Sequence, residues 1–179
     1  MSDYIATFTG HHFYPLEPDS NDVYIEDIAH ALSMLCRGNG HVSSFFSVGQ
    51  HCLNCANEAK LRGFSPRIVL ACLLHDASEC YLSDVPRPFK KEIKEYIEWE
   101  NSILSVVYNK FLGSGLTEEE QRIVKKIDDD MLSYDLKYLL GEKVESLPEL
   151  HIELDYSLRP FQDVEDDYLK LFKEMSRLI

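Results

Sequence analysis

IVLACLLHDASECYLSDVPRPFK, residues 68–90, opens with seven apolar residues and turns polar at His75-Asp76. It then adds Glu79 and Asp84 and leaves through Pro86 and Pro88. A helix that is apolar nearly all round is buried on every side. Ser65-Pro66, just ahead, supplies a cap and a first-turn proline for it. This central helix therefore carries His75 and Asp76 into the core. Polar groups are costly there unless they are paired or hold a metal. Asp76 and Glu79 stand one turn apart and project from the same side.

Outward from this stretch the periodicity stays helical. Residues 24–36 place Ile25, Ile28, Ala29, Leu32 and Leu35 at three- and four-residue spacing, with His30 read as a packed histidine. Arg37-Gly-Asn-Gly-His41 breaks that helix, and Arg37 and His41 offer donors for a phosphate or a base. Residues 47–62 form the next helix, from a Ser47 cap to a Gly63 stop. His51 lies on its inward face with Val48, Cys52, Cys55 and Ala59. Residues 89–112 predict another helix, and Thr117-Glu-Glu-Glu120 is a capping box that starts a helix running to about Leu140. Residues 142–159 read as a loop, and residues 160–179 as an amphipathic helix. Residues 1–20 read as irregular, with a short strand or arm near Ile5–Phe8. The fold class is all-α: a single domain over residues 1–179, a bundle of about six or seven helices.

The triple Asp128-Asp129-Asp130 has to be resolved by angle. Ile123, Val124, Ile127, Met131, Tyr134 and Tyr138 define the inward face of their helix. Relative to its centre Asp128 falls at about 60°, Asp130 at about 100° and Asp129 at about 160°. Asp128 is thus the candidate ligand and Asp129 a solvated residue. Asp135, on the same side as Asp128, is a carboxylate that supports the ligands or lines the pocket. His51, His75, Asp76 and Asp128 together make a mixed nitrogen and oxygen set. Such a set suits one divalent transition metal (Mn, Co, Ni, Fe or Zn) better than Mg, which prefers oxygen alone. Glu79, one turn beyond the ligands, is placed to act as general base or acid.

The pattern His51, His75-Asp76, Asp128 resembles the H…HD…D signature of HD-domain metal-dependent phosphohydrolases. The segment HDASECYLSDVPRPFK is similar to the matching segment of HD-domain 5'-deoxynucleotidases and of phage-type dATP/dNTP triphosphohydrolases. The residues from Thr7-Phe-Thr-Gly10 through Cys36-Arg37 and Gly40-His41 to Gln50-His51 resemble bacterial and prophage members of that group. This resemblance implies an HD-domain helical bundle that hydrolyses a dNMP or dNTP at one metal ion, with Glu79 as the catalytic glutamate. It also implies that Asp84 contacts the sugar, that Lys90 lies near the substrate and that Arg37 touches it. Gly38 stands where the deoxynucleotidases carry a Trp. A homo-oligomer, a dimer or larger, is implied as well. The alternative is a nucleotide-binding regulatory HD domain without turnover, which the presence of Glu79 disfavours. A di-iron HD oxygenase would need further inward histidines, and the cyclic-dinucleotide phosphodiesterase subgroup would need a Gly-Tyr-Pro motif that the chain lacks.

Composition narrows the partners. With 179 residues and 45% hydrophobic content the chain fits one domain with a sizeable core. Lys and Arg number 18 against 31 Asp and Glu, a net charge of −13, and such a surface repels long nucleic acid. A small nucleotide stays compatible with it, because local charge outweighs a distant screened field. No apolar run reaches the roughly 20 residues of a bilayer span, and MSDYIATFTG has no signal-peptide pattern. A cytoplasmic protein with no membrane partner is expected. The five cysteines are too few and oddly numbered for a disulfide framework. Cys52-x-x-Cys55 lacks the second pair of a structural zinc site and reads as two packed thiols.

Overall fold

The computed structural model describes residues 3–179 and is all-α apart from one small hairpin. Residues 1 and 2 of the expected irregular arm lie outside the described residues. In the hairpin, β1 (Ile5–Ala6) pairs antiparallel with β2 (His12–Phe13). It is anchored where the Thr9 backbone N–H and hydroxyl donate to the buried Asp27 carboxylate at 2.7 and 2.9 Å. The expected packed histidine, His30, stacks on Phe8 and meets Glu165 at 3.0 Å.

The helices are α1 (Ile25–Met34), α2 (Val48–Leu61), α3 (Pro66–Leu74), α4 (Glu79–Leu82), α5 (Arg87–Lys90), α6 (Lys94–Leu112), α7 (Glu118–Tyr138) and α8 (Phe161–Ser176). Six are long, and α4 and α5 are single turns. The central helix α3 is buried at every position from Ile68 to Leu74 and packs against α2, α6, α7 and α8. Tyr168 of α8, itself fully buried, donates its hydroxyl to the Leu73 carbonyl at 2.6 Å and so ties α8 to the end of α3. Local signals set the starts. Ser47 accepts from the Gln50 N–H, Ser65 from the Ile68 N–H, and Thr117 and Glu120 close a reciprocal capping box.

The position of α2 against α1 depends on one residue. A Cβ on Gly49 would sit 3.1 Å from the Leu32 carbonyl carbon and from the Ser33 nitrogen, so the two backbones touch only because no side chain intervenes.

Two expectations need correction. The helix predicted over 89–112 begins at Lys94, because Ile93 is non-helical (φ −111°, ψ 89°) and the Pro86-Arg-Pro88 segment spends its helical turn in α5. Tyr138, placed inward by periodicity, is exposed, because the last turn of α7 runs past the core. Its ring instead packs beside Tyr134 and Tyr156. The loop 142–159 is irregular as expected, yet it is a docked strap. The buried Glu58 of α2 accepts from the backbone N–H groups of His151 (2.9 Å) and Ile152 (2.8 Å), and Tyr134 donates to the Pro148 carbonyl. No helix among the described residues is long and apolar enough to cross a membrane.

Candidate metal centre and adjoining cavities

Three helices and the turn after α3 bring His51, His75, Asp76 and Asp128 together. Nε2 of His51 lies 3.2 Å from Asp128 Oδ1 and 4.0 Å from Asp76 Oδ2. Nε2 of His75 lies 3.3 Å from Asp76 Oδ2 and 3.7 Å from Asp128 Oδ1. Both imidazoles are fixed from behind. Nδ1 of His75 donates to the Cys72 carbonyl at 2.7 Å, and Nδ1 of His51 donates to Asp135 Oδ2 at 2.9 Å. Since each Nδ1 carries the hydrogen, each Nε2 of a neutral ring presents a lone pair. Apart from one Arg37 N–H on His51, these lone pairs face carboxylate oxygens, which are acceptors too. Nε2 of His75 is buried without a hydrogen-bond partner. Acceptors crowded on one point need a cation or a proton between them, so the donor set fits a divalent ion. The His75 pKa shows the same pull: burial lowers it, but Asp76, Cys52 and Asp128 carry it well above its ordinary 6.5. Burial raises the Asp128 pKa less than its contacts with His51 and His75 lower it.

Supporting groups surround the cluster. Asp135, nearly fully buried, bonds His51 and accepts from the Tyr156 hydroxyl at 3.1 Å. Arg37 donates to His51 Nε2 at 3.1 Å and stands 3.5 Å from both Asp76 and Asp135. Asp129 is the most exposed of the acidic triple, with 40% of its side chain open to solvent against 19% for Asp128 and 8% for Asp130.

Two cavities are lined in part by the cluster. One, of about 410 Å³, is lined by Arg37, Asp76, Glu79, Asp84, Lys90, Asp128 and Asp135 on its polar side, with an apolar wall that includes Val42, Leu136 and Leu139. The other, of about 630 Å³, touches His75, Asp76 and Asp128 and is lined further by Glu100, Ser105, Tyr108 and Gln121. Glu79 is buried. Burial, reinforced by Asp76 and Asp84, holds its carboxyl well above the usual range, and Oε2 has no partner. Asp84 accepts from the Gly38 N–H at 3.0 Å and so closes the Arg37 turn onto the cavity. Lys90 pairs with Glu100. His41 is exposed and does not line the 410 Å³ cavity, although Arg37, Asp84 and Lys90 do.

Sequence reasoning missed one group, Arg87, and set another, the Cys52/Cys55 pair, aside. Arg87 reaches Asp128 at 3.1 Å and Asp129 at 3.0 Å, a contact across 41 residues that no local pattern shows. Cys52 and Cys55, read as packed thiols, lie against the histidines: His51, Cys55 and His75 form one group of ligand atoms within 4.8 Å of one another, and Cys52, His75 and Asp76 another. The period that made His51 inward did so for both cysteines, and that was the available signal. The structure thus holds a buried His/Cys/Asp cluster able to bind a metal ion.

No protein-family profile matches the chain. It is 36% identical over 130 residues to the uncharacterized protein YfdR of Escherichia coli (strain K12), an alignment that covers 73% of this chain and 68% of that protein. It is 37% identical over 120 residues to the uncharacterized protein RCAP_rcc00048 of Rhodobacter capsulatus, covering 63% of this chain and 61% of that relative.

Proposed function

This chain belongs to the same family as Escherichia coli YfdR, and we propose that it is an HD-domain metal-dependent phosphohydrolase acting on deoxynucleotides, dNMP or dNTP. The carrying observation is the convergence of His51, His75, Asp76 and Asp128, acceptor against acceptor, with Nε2 of His75 unpartnered. These four residues would hold one divalent ion, Mn, Co, Zn, Ni or Fe. When bound, the ion supplies Lewis acidity toward a phosphate oxygen and a more acidic water.

The remaining roles belong to side chains lining the 410 Å³ cavity, a volume within the usual range for small-ligand pockets. Its apolar wall takes the nucleoside and excludes water. Asp84 accepts from a sugar hydroxyl. Arg37, Arg87 and Lys90 offer cationic donors to the phosphate. Glu79, whose burial beside Asp76 and Asp84 favours the protonated form, is placed to donate a proton to the departing oxygen. His41, exposed, serves the substrate only through movement of the Arg37–Gly40 turn. A homo-oligomer in solution belongs to the same reading, and light scattering of the purified chain tests it.

The metal-loaded protein is expected to release phosphate, pyrophosphate or triphosphate from at least one member of a dNMP and dNTP panel. Glu79→Gln should lower that rate about 10²–10⁴-fold with the metal still bound. Silence across the whole panel with each of the five metals would overturn the enzyme. If nucleotides then still raise the melting temperature, the regulatory reading takes its place.

A further inference from the structure

The metal-centre reading above uses only nitrogen and oxygen donors, and resting on that reading we propose that Cys55 is an additional, thiolate ligand on the buried side of the ion. The thiol sits one helical turn beyond His51 and is almost wholly buried. Among the described residues its only hydrogen-bond partner is Nε2 of His51, at 3.6 Å. That spacing is what two ligands on one small ion require. Bonds of about 2.0 Å to nitrogen and 2.3 Å to sulfur at a tetrahedral angle leave the ligand atoms roughly 3.5 Å apart. A ring nitrogen of His75 lies within 4.8 Å of the same sulfur. The second observation is His75 itself, whose Nε2 is buried with no partner while only 8% of its side chain is exposed. Asp76 and Asp128 approach the cluster where the two cavities open, whereas Cys55 approaches from the core.

The chemistry has a direct consequence for metal choice. On coordination the Cys55 S–H bond breaks, its proton passes to solvent and the sulfur lone pair forms the new bond. A thiolate favours soft or borderline ions, so the site selects Zn, Co or Cd and disfavours Mn. Cys52, whose thiol lies beside His75 and Asp76, is the internal control, because it has no such contact with His51.

Cobalt(II) titration of the metal-free full chain, followed by absorption, tests this. Wild type should develop visible d–d bands and, in step with them, a near-ultraviolet sulfur-to-cobalt charge-transfer band. Cys55→Ser should keep the visible bands and lose the near-ultraviolet one, whereas Cys52→Ser keeps both. Visible bands without the charge-transfer band in wild type overturn the thiolate ligand and leave the nitrogen and oxygen site standing, whereas a charge-transfer band that survives Cys55→Ser overturns Cys55 as the ligand and assigns the sulfur to another thiol. No visible bands at all overturns the metal centre and the thiolate with it. X-ray absorption of the zinc-loaded wild type needs no variant: one sulfur at about 2.3 Å supports the assignment, and a shell of nitrogen and oxygen alone refutes it.

Discussion

Two buried carboxylate stations on α2 and α7 differ in how their lone pairs are used. Glu58 is fully buried, and its oxygens receive Arg62 Nε at 2.7 Å and the backbone N–H groups of His151 and Ile152. Arg62 also bonds Asp130 at 3.0 Å, so donors and acceptors balance. Seven residues before Glu58, His51 Nε2 meets one Arg37 N–H and otherwise only the oxygens of Asp128 and Asp76, and the neighbouring His75 has no partner for Nε2. The first station explains itself as architecture. The second has more acceptors than donors, and that surplus is why a cation is the economical reading of it.

The comparison can be broken most sharply by truncating one ligand at each station. Asp128→Ala should cut metal-dependent hydrolysis by at least about 10³-fold, since several kcal/mol of charge stabilisation go with the ion. Initial rates at saturating metal check this, and a near-normal rate would remove Asp128 from the centre. Glu58→Gln should do the reverse: metal affinity unchanged and folding stability lower by about 3 kcal/mol, because Arg62 and two backbone N–H groups lose a charged acceptor. Urea unfolding and metal titration on one sample separate the two effects. Asp135→Asn, which removes the charged acceptor behind His51, should weaken metal binding roughly 10–100-fold by calorimetry while leaving the fold intact.

The smallest effect is in pH. Burial opposes the ionisation of Glu58, but Arg62 and the strap N–H groups still hold its pKa below the ordinary 4.5. Its stability term is therefore present above 4.5 and is lost as pH falls through the lower folded value. The His75 pKa is raised, so in the metal-free protein its term is fully present below 6.5 and is lost as pH rises through the folded value. Unfolding midpoints across pH should show both limbs, the acid one flattened by Glu58→Gln and the alkaline one by His75→Ala.

What the sequence showed depended on distance along the chain. Ser47, Ser65 and Thr117 cap residues three positions away, so composition alone located those helix starts. The angular argument that separated Asp128, half-buried beside His51, from the more exposed Asp129 could be made because both sit within the regular part of α7. The Glu58 station was invisible because its backbone donors come from residues 151 and 152, separations of 93 and 94 along the chain. Arg87 over Asp128 was hidden for the same reason. The start of α6 was misplaced because apolar spacing continues through Ile93 although its backbone does not. Cys52 and Cys55 were on the right face all along, but inwardness does not say whether a thiol meets a side chain of leucine or of histidine.

Position 49 has one further consequence. Because α1 and α2 meet there through hydrogen alone, the depth to which His51 is sunk, half a turn later, is set by the missing methyl group. A single added carbon atom would act as a wedge and lift the imidazole out of register with a partner on a different helix, without touching any residue of the centre.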